Sequence, residues 1–302
     1  MEIISPNTNY NFIGKQRIFV GLSAAAVLLS LFVIGIKGIN YGIDFTGGTL
    51  VQILFQKVRA IGEVREAISS PAFGDTVVQN FGSPREFLVR VEKSVGSIEG
   101  VGEKISAALK DRFGNETFKI RRTESVGPKV GADLRQKAVS SMLFALIGIL
   151  IYVSLRFQIR QAVASVIALV HDVVITLGVF SLSGKEFSLP IVAAILTIIG
   201  YSLNDTIVVF DRIRENTRLS RRADFSKLLN TSLNQTLSRT ILTSGTTLVA
   251  VLAFLFLGGK VISDVAFALA VGIIAGTYSS IFVASPILLA WPAAGRKVKP
   301  RR

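Results

Sequence analysis

Residues 197–214 read TIIGYSLNDTIVVFDRIR, and this stretch decides what kind of protein the chain is. It continues an apolar run that begins at Leu189, yet it carries a carboxylate, Asp205, inside the run rather than at its edge. A carboxylate near the centre of a bilayer costs about 2.5–3.5 kcal/mol on insertion scales. Because a cost of that size requires a compensating gain, Asp205 is the first candidate functional residue.

The composition of the whole chain indicates an integral membrane protein. Of its 302 residues, 50% are hydrophobic and only 18% are charged, and the mean hydropathy is +0.54. Such values are unlike those of a soluble globular protein. The net charge of +14 lies mostly in short segments between apolar runs, so it indicates membrane orientation rather than nucleic-acid binding. Cysteine is absent, which excludes disulfides, thiolate catalysis and cysteine-ligated metals.

Six apolar runs predict six membrane-spanning helices. A helix of about 20 residues, at 1.5 Å per residue, crosses the hydrocarbon core of about 30 Å. The first run is too long for the core of a signal peptide and is followed by no A-x-A site, so we expect a retained helix. The runs are 18–36, 138–155, 162–182, 189–210, 240–257 and 265–291.

The basic residues between the runs predict the orientation. Alternate connections contain only Lys185 and Lys260 as positive charges. By the positive-inside rule, we expect residues 1–17, the loop 211–239 and the basic tail 292–302 in the cytoplasm. The basic residues on that side are Arg156, Arg160, Arg212, Arg214, Arg218, Arg221, Arg222 and Lys227, followed in the tail by Arg296, Lys297, Lys299, Arg301 and Arg302.

The segment 37–137 has the charge, proline and glycine content of a water-soluble domain, and the orientation places it outside. Residue patterns predict strands at 49–55, 76–81, 86–92 and 118–123, and helices at 60–69 and 98–113. Gly82, Ser83 and Pro84 predict a hairpin turn. The order β-α-β-β-α-β indicates a ferredoxin-like α+β domain between the first two spans.

Counting along the spans brings a second ionisable residue to the level of Asp205. From the outer ends, Asp205 lies about 24 Å deep and Arg239 about 27 Å deep, so we expect them within reach of each other in a proton relay. His171 and Asp172 lie about 15 Å into their span, near the midplane, as further relay members or polar support. The polar residues that flank these ionisable groups, and would form a polar cluster between the helices with them, are Ser202, Asn204, Thr206, Thr243 and Ser244.

Purely structural interpretations of these residues stay open. Asp205 is also consistent with a fixed ion pair or a helix–helix hydrogen bond, and Arg239 with an interfacial anchor. His171 is equally consistent with a neutral imidazole bonded to a backbone or hydroxyl group. Gly272 and Gly276 belong to a small-xxx-small pattern, which indicates packing within the bundle or against a partner subunit.

Other kinds of site are disfavoured. A metal site built from His171, Asp172 and Asp205 would lack its usual fourth ligand. An aspartyl protease dyad is disfavoured because the expected depths of the two aspartates differ by about 9 Å. The pair Gly47 and Gly48 lacks the Gly-Lys-Ser/Thr that follows in a phosphate-binding loop. We therefore expect no enzyme, no metal and no cofactor.

Five motifs make the chain resemble the SecD/SecF family of protein-export membrane proteins, and in particular its SecF members, which are related to the RND transporters. The similarity runs along nearly the whole chain. The motifs are YGIDFTGGT at 41–49, VGPKVGADL at 126–134, HDVVITLG at 171–178, IGYSLNDTIVVFDRIRE at 199–215 and SRTILTS at 238–244.

The resemblance implies a subunit that uses the proton motive force to assist Sec-dependent protein translocation across the bacterial cell inner membrane. The implied partners are SecD, the SecY-SecE-SecG channel, the translocating polypeptide and membrane lipids. In the family, the aspartate of S-x-N-D-T and the arginine of S-R-T belong to the proton path, which implies Asp205 and Arg239 here. Six spans are half of the RND-type set, so SecD is expected to complete the bundle. An assembly scaffold that carries no protons and an RND-like exporter of small molecules are the alternatives.

Overall fold

The computed structural model describes residues 8–69, 73, 76–91, 100–114, 118–220 and 224–291. Arg221, Arg222 and the tail 292–302, used above to predict orientation, lie outside the described residues, as do residues 1–7 of the expected cytoplasmic N-terminus. In chain order the elements are α1 (Gln16–Lys37), α2 (Ile43–Thr46), β1 (Gly48–Phe55), α3 (Ile61–Ala67), β2 (Thr76–Phe81), β3 (Ser83–Val91), α4 (Val101–Phe113), β4 (Phe118–Val126), α5 (Pro128–Arg156), α6 (Ile159–Ser183), α7 (Leu189–Leu219), α8 (Phe225–Leu257), α9 (Lys260–Ser279) and α10 (Ser285–Ala290).

Within the described ranges, six long helical segments are apolar enough to cross a membrane: α1 with the 3₁₀ turn before it, α5, α6, α7, α8, and α9 continued into α10. They contain 25 to 33 residues each, which exceeds the roughly 20 that a bilayer requires. Local sequence explains several of their ends. Gly38 follows α1 with φ +72°, and α5 starts at a proline, whose missing N–H is tolerated in a first turn. The six-helix membrane fold is confirmed.

Several helices extend beyond their apolar runs. Helix α5 begins at Pro128 rather than near 138, and the stretch 211–239, expected as a loop, belongs to α7 as far as Leu219 and to α8 from Phe225 onward. Hydropathy marks only the part of a helix that lies in lipid. The polar continuations remain helical because they can satisfy their backbone hydrogen bonds within the helix in water as well.

The domain between α1 and α5 contains a four-stranded antiparallel sheet in the order β2-β3-β1-β4. Helices α3 and α4 cover one face, where Phe55, Phe87, Ile105 and Leu109 are fully buried. This topology confirms the predicted ferredoxin-like α+β fold. The hairpin connection is tighter than expected, because Gly82 alone, at φ +74°, separates β2 from β3.

Helices α6, α7 and α9 form the centre of the bundle, and α1, α5 and α8 surround them with much of their surface exposed. Glycines let the central helices approach closely. A Cβ on Gly276 would come within 2.8 Å of Ser202 Cβ, and one on Gly272 would overlap Ile198. These two glycines therefore pack α9 against α7 within the chain, which resolves the choice that the sequence left open.

Candidate functional site

Asp205 lies at the centre of the bundle with only 2% of its surface exposed. Its partners are hydroxyl groups of α8: Ser244 Oγ donates to Oδ2 at 3.0 Å and Thr243 Oγ1 lies 3.5 Å from Oδ1. Ser244 Oγ in turn lies 2.8 Å from Thr277 Oγ1 of α9. Three helices thus meet at one carboxylate through neutral groups.

A second buried carboxylate, Asp172 of α6, is 1% exposed. Its Oδ2 accepts hydrogen bonds from Ser202 Oγ of α7 at 2.6 Å and from Ser279 Oγ of α9 at 2.8 Å. Its Oδ1 lies 2.9 Å from Nδ1 of His171, and the imidazole donates to the carboxylate in the tautomer that carries its proton on Nδ1. The other imidazole nitrogen, Nε2, is buried without a partner in the described structure.

The two carboxylates are linked along α7. Ser202, which binds Asp172, precedes Asp205 by three residues, or about 4.5 Å along the helix axis. Thr206 contacts Ser280 Oγ of the adjoining helix at 2.9 Å. Ser280 begins a π-helical turn, Ser280–Ala284, and Ser285 Oγ donates to the carbonyl of Ser280. Single π turns within α-helices often occur at functional sites.

Arg239 makes no direct ion pair with Asp205, although its charge is close enough to attract that carboxylate. It lies on the exposed face of α8, and its side chain has neither an ion pair nor a hydrogen bond among the described residues. Asn204 of α7 is also exposed, and it does not join the polar cluster. The structure therefore unites Asp205 with Thr243 and Ser244, and Asp172 with His171 and Ser202, but it leaves Arg239 and Asn204 on the outside.

A second region of interest joins the sheet domain to the bundle, and it is built from the motif at 41–49. The N–H of Gly42 donates a hydrogen bond of 2.9 Å to the carbonyl of Phe187, which lies in the connection between α6 and α7. Asp44 Oδ2 accepts the N–H of Leu189, the first residue of α7, at 2.8 Å. A carboxylate at this position accepts an N–H that has no partner within the helix, and it interacts favourably with the positive end of the helix dipole.

The double glycine of that motif allows close contact with α5. Gly47 has φ +73°, and a Cβ there would lie 2.9 Å from Pro128 Cα. Gly131 approaches the same turn, since its Cβ would lie 2.9 Å from the nitrogen of Gly47. Only residues without a side chain fit both positions. The segment 41–49 therefore holds the starts of α5 and α7 together at the base of the sheet domain.

Charged groups gather at this junction. Burial raises the pKa of Glu186 above its ordinary value of 4.5; Arg90 opposes the shift, and the carboxylates of Asp44 and Asp264 add to it. Asp264 also pairs with the ammonium groups of Lys185 and Lys260. No metal-holding group of three or more histidine and acidic side chains occurs in the described ranges.

Sequence reasoning missed the contribution of α9. Thr277, Ser279 and Ser280 supply hydroxyls to both buried carboxylates or to their neighbours. The polar run GTYSS at 276–280 inside the last apolar segment was the available signal. Tyr201 was also missed; its hydroxyl donates to the carbonyl of Thr243 at 2.9 Å.

Comparison with known proteins supplies two matches to sequence profiles. The profile described as "Protein export membrane protein SecD/SecF, C-terminal" matches residues 99–294, and the "SecD/SecF GG Motif" matches residues 32–57. The second match contains the segment 41–49 described above.

Relatives that match over nearly their whole length belong to the same family as the two profiles. The protein translocase subunit SecF of Calditerrivibrio nitroreducens is 46% identical over 291 residues, which cover 95% of this chain and 96% of the relative. The SecF of Desulfurispirillum indicum is 51% identical over 287 residues, covering 93% and 91% of the two chains. The crystal structure of SecDF from Thermus thermophilus superposes with a TM-score of 0.86 at 42% identity. This chain is matched over 95% of its length there but spans only 39% of that fused protein.

Proposed function

The chain belongs to the SecD/SecF family of protein-export membrane proteins, and from this we propose that it is a subunit of a SecD–SecF complex that uses the proton motive force to assist Sec-dependent translocation. In this proposal both termini and the α7–α8 connection are cytoplasmic, and the sheet domain is on the periplasmic side of a bacterial inner membrane. There it would act on a polypeptide leaving the SecY-SecE-SecG channel.

The observation that carries the proposal is the environment of Asp205. A carboxylate fixed in a buried ion pair would be held in its charged form by its partner. Asp205 is instead bonded to hydroxyls, which donate to the carboxylate and can accept from the protonated acid. The site therefore tolerates both protonation states, as a proton carrier must. Arg239 attracts this carboxylate through space, but its exposed side chain forms no direct ion pair with it among the described residues.

The available energy is sufficient for a conformational change. One proton moving through a driving force of about 150 mV releases about 3.5 kcal/mol. A free energy of that size shifts a two-state equilibrium by a few hundredfold. Protonation of Asp205 would weaken the hydrogen bond from Ser244 and change how α7 packs against α8.

Helix α7 offers a direct route from this site to the sheet domain. Sixteen residues, or about 24 Å of continuous helix, separate Leu189 from Asp205. Asp44 holds the N–H of Leu189, and Asp44 belongs to the segment that leads into β1. A tilt of α7 would therefore move the base of the sheet domain. This coupling links proton movement to work on the exported chain.

We propose that SecD covers the exposed face of α7 and α8. An arginine facing lipid within a spanning helix is unfavourable, so the exposure of Arg239 supports a partner at this face. The Thermus thermophilus relative is named SecDF and is more than twice as long as the matched region. With SecD in place, Arg239 and Asn204 would line the interface one layer from Asp205.

The test replaces Asp205 with asparagine and measures export of a secreted reporter with and without a proton gradient. We expect Asp205→Asn to abolish the gradient-dependent part of export at normal complex abundance. The matched control is Asp211→Asn, which makes the same change six residues later on α7, at a half-exposed carboxylate paired with Arg156. Export should be normal in this control.

Two outcomes would contradict the proposal. Normal gradient-dependent export in Asp205→Asn would show that no essential proton passes through this group. A fall in the abundance of the complex, with export reduced in proportion, would favour an assembly scaffold that carries no protons.

A further inference from the structure

A basic cavity lies at the end of the bundle opposite the sheet domain. It has a volume of about 390 Å³ and is formed by the α5–α6 connection, the last turns of α7, the first residue of α8 and α10. Four arginines line it: Arg156, Arg160, Arg214 and Arg218. No aspartate or glutamate is among its lining residues within the described part of the chain.

The positive charge in this cavity is only partly compensated. Arg156 pairs with Asp211, outside the cavity, at 3.0 Å. Arg214 donates to the carbonyl of Arg156, and Arg160 donates to the side chain of Gln158, both neutral groups. Arg218 has no ion pair in the described structure. Three guanidinium groups thus line one cavity without a direct ion pair, and an anion bound between them would offset their like charges.

The start of α6 adds to the positive potential. Gln158 caps this 25-residue helix, and both Gln158 and Gln161 line the cavity. The Gln161 side chain accepts the N–H of Gln158 at 3.1 Å, and the Gln158 side chain accepts the N–H of Gln161. The arginine side chains add further donors for a ligand. The positive end of the helix dipole favours an anion at this place.

Apolar residues surround the arginines and indicate which kind of anion fits. Phe157, Phe225 and Leu288 line the same cavity. Leu155, at the end of the spanning helix α5, also lines it and is 84% exposed. Such a border suits acyl chains, whereas the guanidinium forks match phosphate oxygens.

We propose that this cavity binds the phosphate of an anionic phospholipid, with the headgroup among the four arginines and the acyl chains passing over Leu155. A phospholipid headgroup and free phosphate would both present a phosphate anion to the arginines, and the apolar border of the cavity favours the lipid. A lipid bound here would fix the α5–α6 connection against the end of α7, the helix that carries Asp205.

The test titrates phosphatidylglycerol or phosphatidylcholine into the full chain in mild detergent and counts retained lipids by native mass spectrometry. The variant is Arg160→Gln with Arg218→Gln. Near a membrane surface each arginine contributes about fivefold to the binding of an anionic lipid, so we expect retention of phosphatidylglycerol to weaken about 25-fold. The control, Lys15→Gln with Lys227→Gln, removes the same charge from exposed positions outside the cavity and should retain the lipid normally.

The proposal is overturned if the two double variants retain phosphatidylglycerol equally, or if the wild-type chain does not prefer it to phosphatidylcholine. A separate arm adds inorganic phosphate and follows thermal unfolding. If phosphate stabilises the wild-type chain but not the arginine variant, while phosphatidylglycerol shows no preference, the ligand is free phosphate and the lipid assignment is wrong. Because the readout is binding, it is independent of whether Asp205 carries protons.

Discussion

The close approach of α9 to α7 at Gly276 provides the sharpest quantitative test of the bundle. An alanine Cβ at this position would lie 2.8 Å from Ser202 Cβ and 3.3 Å from its Cα, so backbone as well as side chain would have to move. Overpacking of this kind costs about 1–3 kcal/mol. Alanine is also the better helix former, by about 0.5–1 kcal/mol. Gly276→Ala should therefore lower the free energy of unfolding by up to about 2.5 kcal/mol.

The matched control is Gly200→Ala on α7, where a new Cβ would meet nothing within 4 Å. Both variants gain the same helix propensity, so the difference between them isolates the packing cost of about 1–3 kcal/mol. Thermal unfolding of the full chain in detergent measures it. Gly276→Ala should unfold several degrees below the control. Equal unfolding temperatures would refute the contact between α9 and α7, and with it the arrangement that brings Ser202 and Ser279 to one carboxylate.

Two further predictions concern the junction between the sheet domain and the bundle. The pKa of Glu186 is raised in the folded protein, so above pH 4.5 the folded state binds more protons than the unfolded state. The contribution of this group to stability therefore falls as pH rises through the raised pKa. Glu186→Gln should flatten that decline in unfolding temperature, and an unchanged pH profile would contradict the burial of this carboxyl group. Gly47→Ala should destabilise the chain by about 2 kcal/mol or more, because it combines positive φ with overlap on Pro128. The control Gly62→Ala, which meets nothing within 4 Å, should not lower the unfolding temperature, and an equal loss in both would remove the assigned role of Gly47.

Much of the site follows from sequence because bilayer depth is a one-dimensional property. Helical rise predicts that Asp205 lies well inside its span, and the structure places it 2% exposed among polar groups. Depth along an axis does not specify the direction in which a side chain points. Thr243 and Ser244 are the residues of α8 that contact Asp205, so Arg239 lies about 6–7.5 Å from that level along the helix, and its side chain lies on the exposed face.

The sequence by itself determined the six spans, the βαββαβ domain and the presence of an aspartate at bilayer depth, because hydropathy, strand alternation and helical rise are local properties. Only the tertiary structure decided which hydroxyls hold Asp205 and Asp172, because those partners come from α7, α8 and α9, up to 107 residues apart. The same holds for Gly276, whose role depends on the opposing helix surface. In the stretch 197–214, the local sequence is enough to show that Asp205 is a costly charge within a spanning helix. The hydroxyl groups that offset this cost are brought to it by packing between helices.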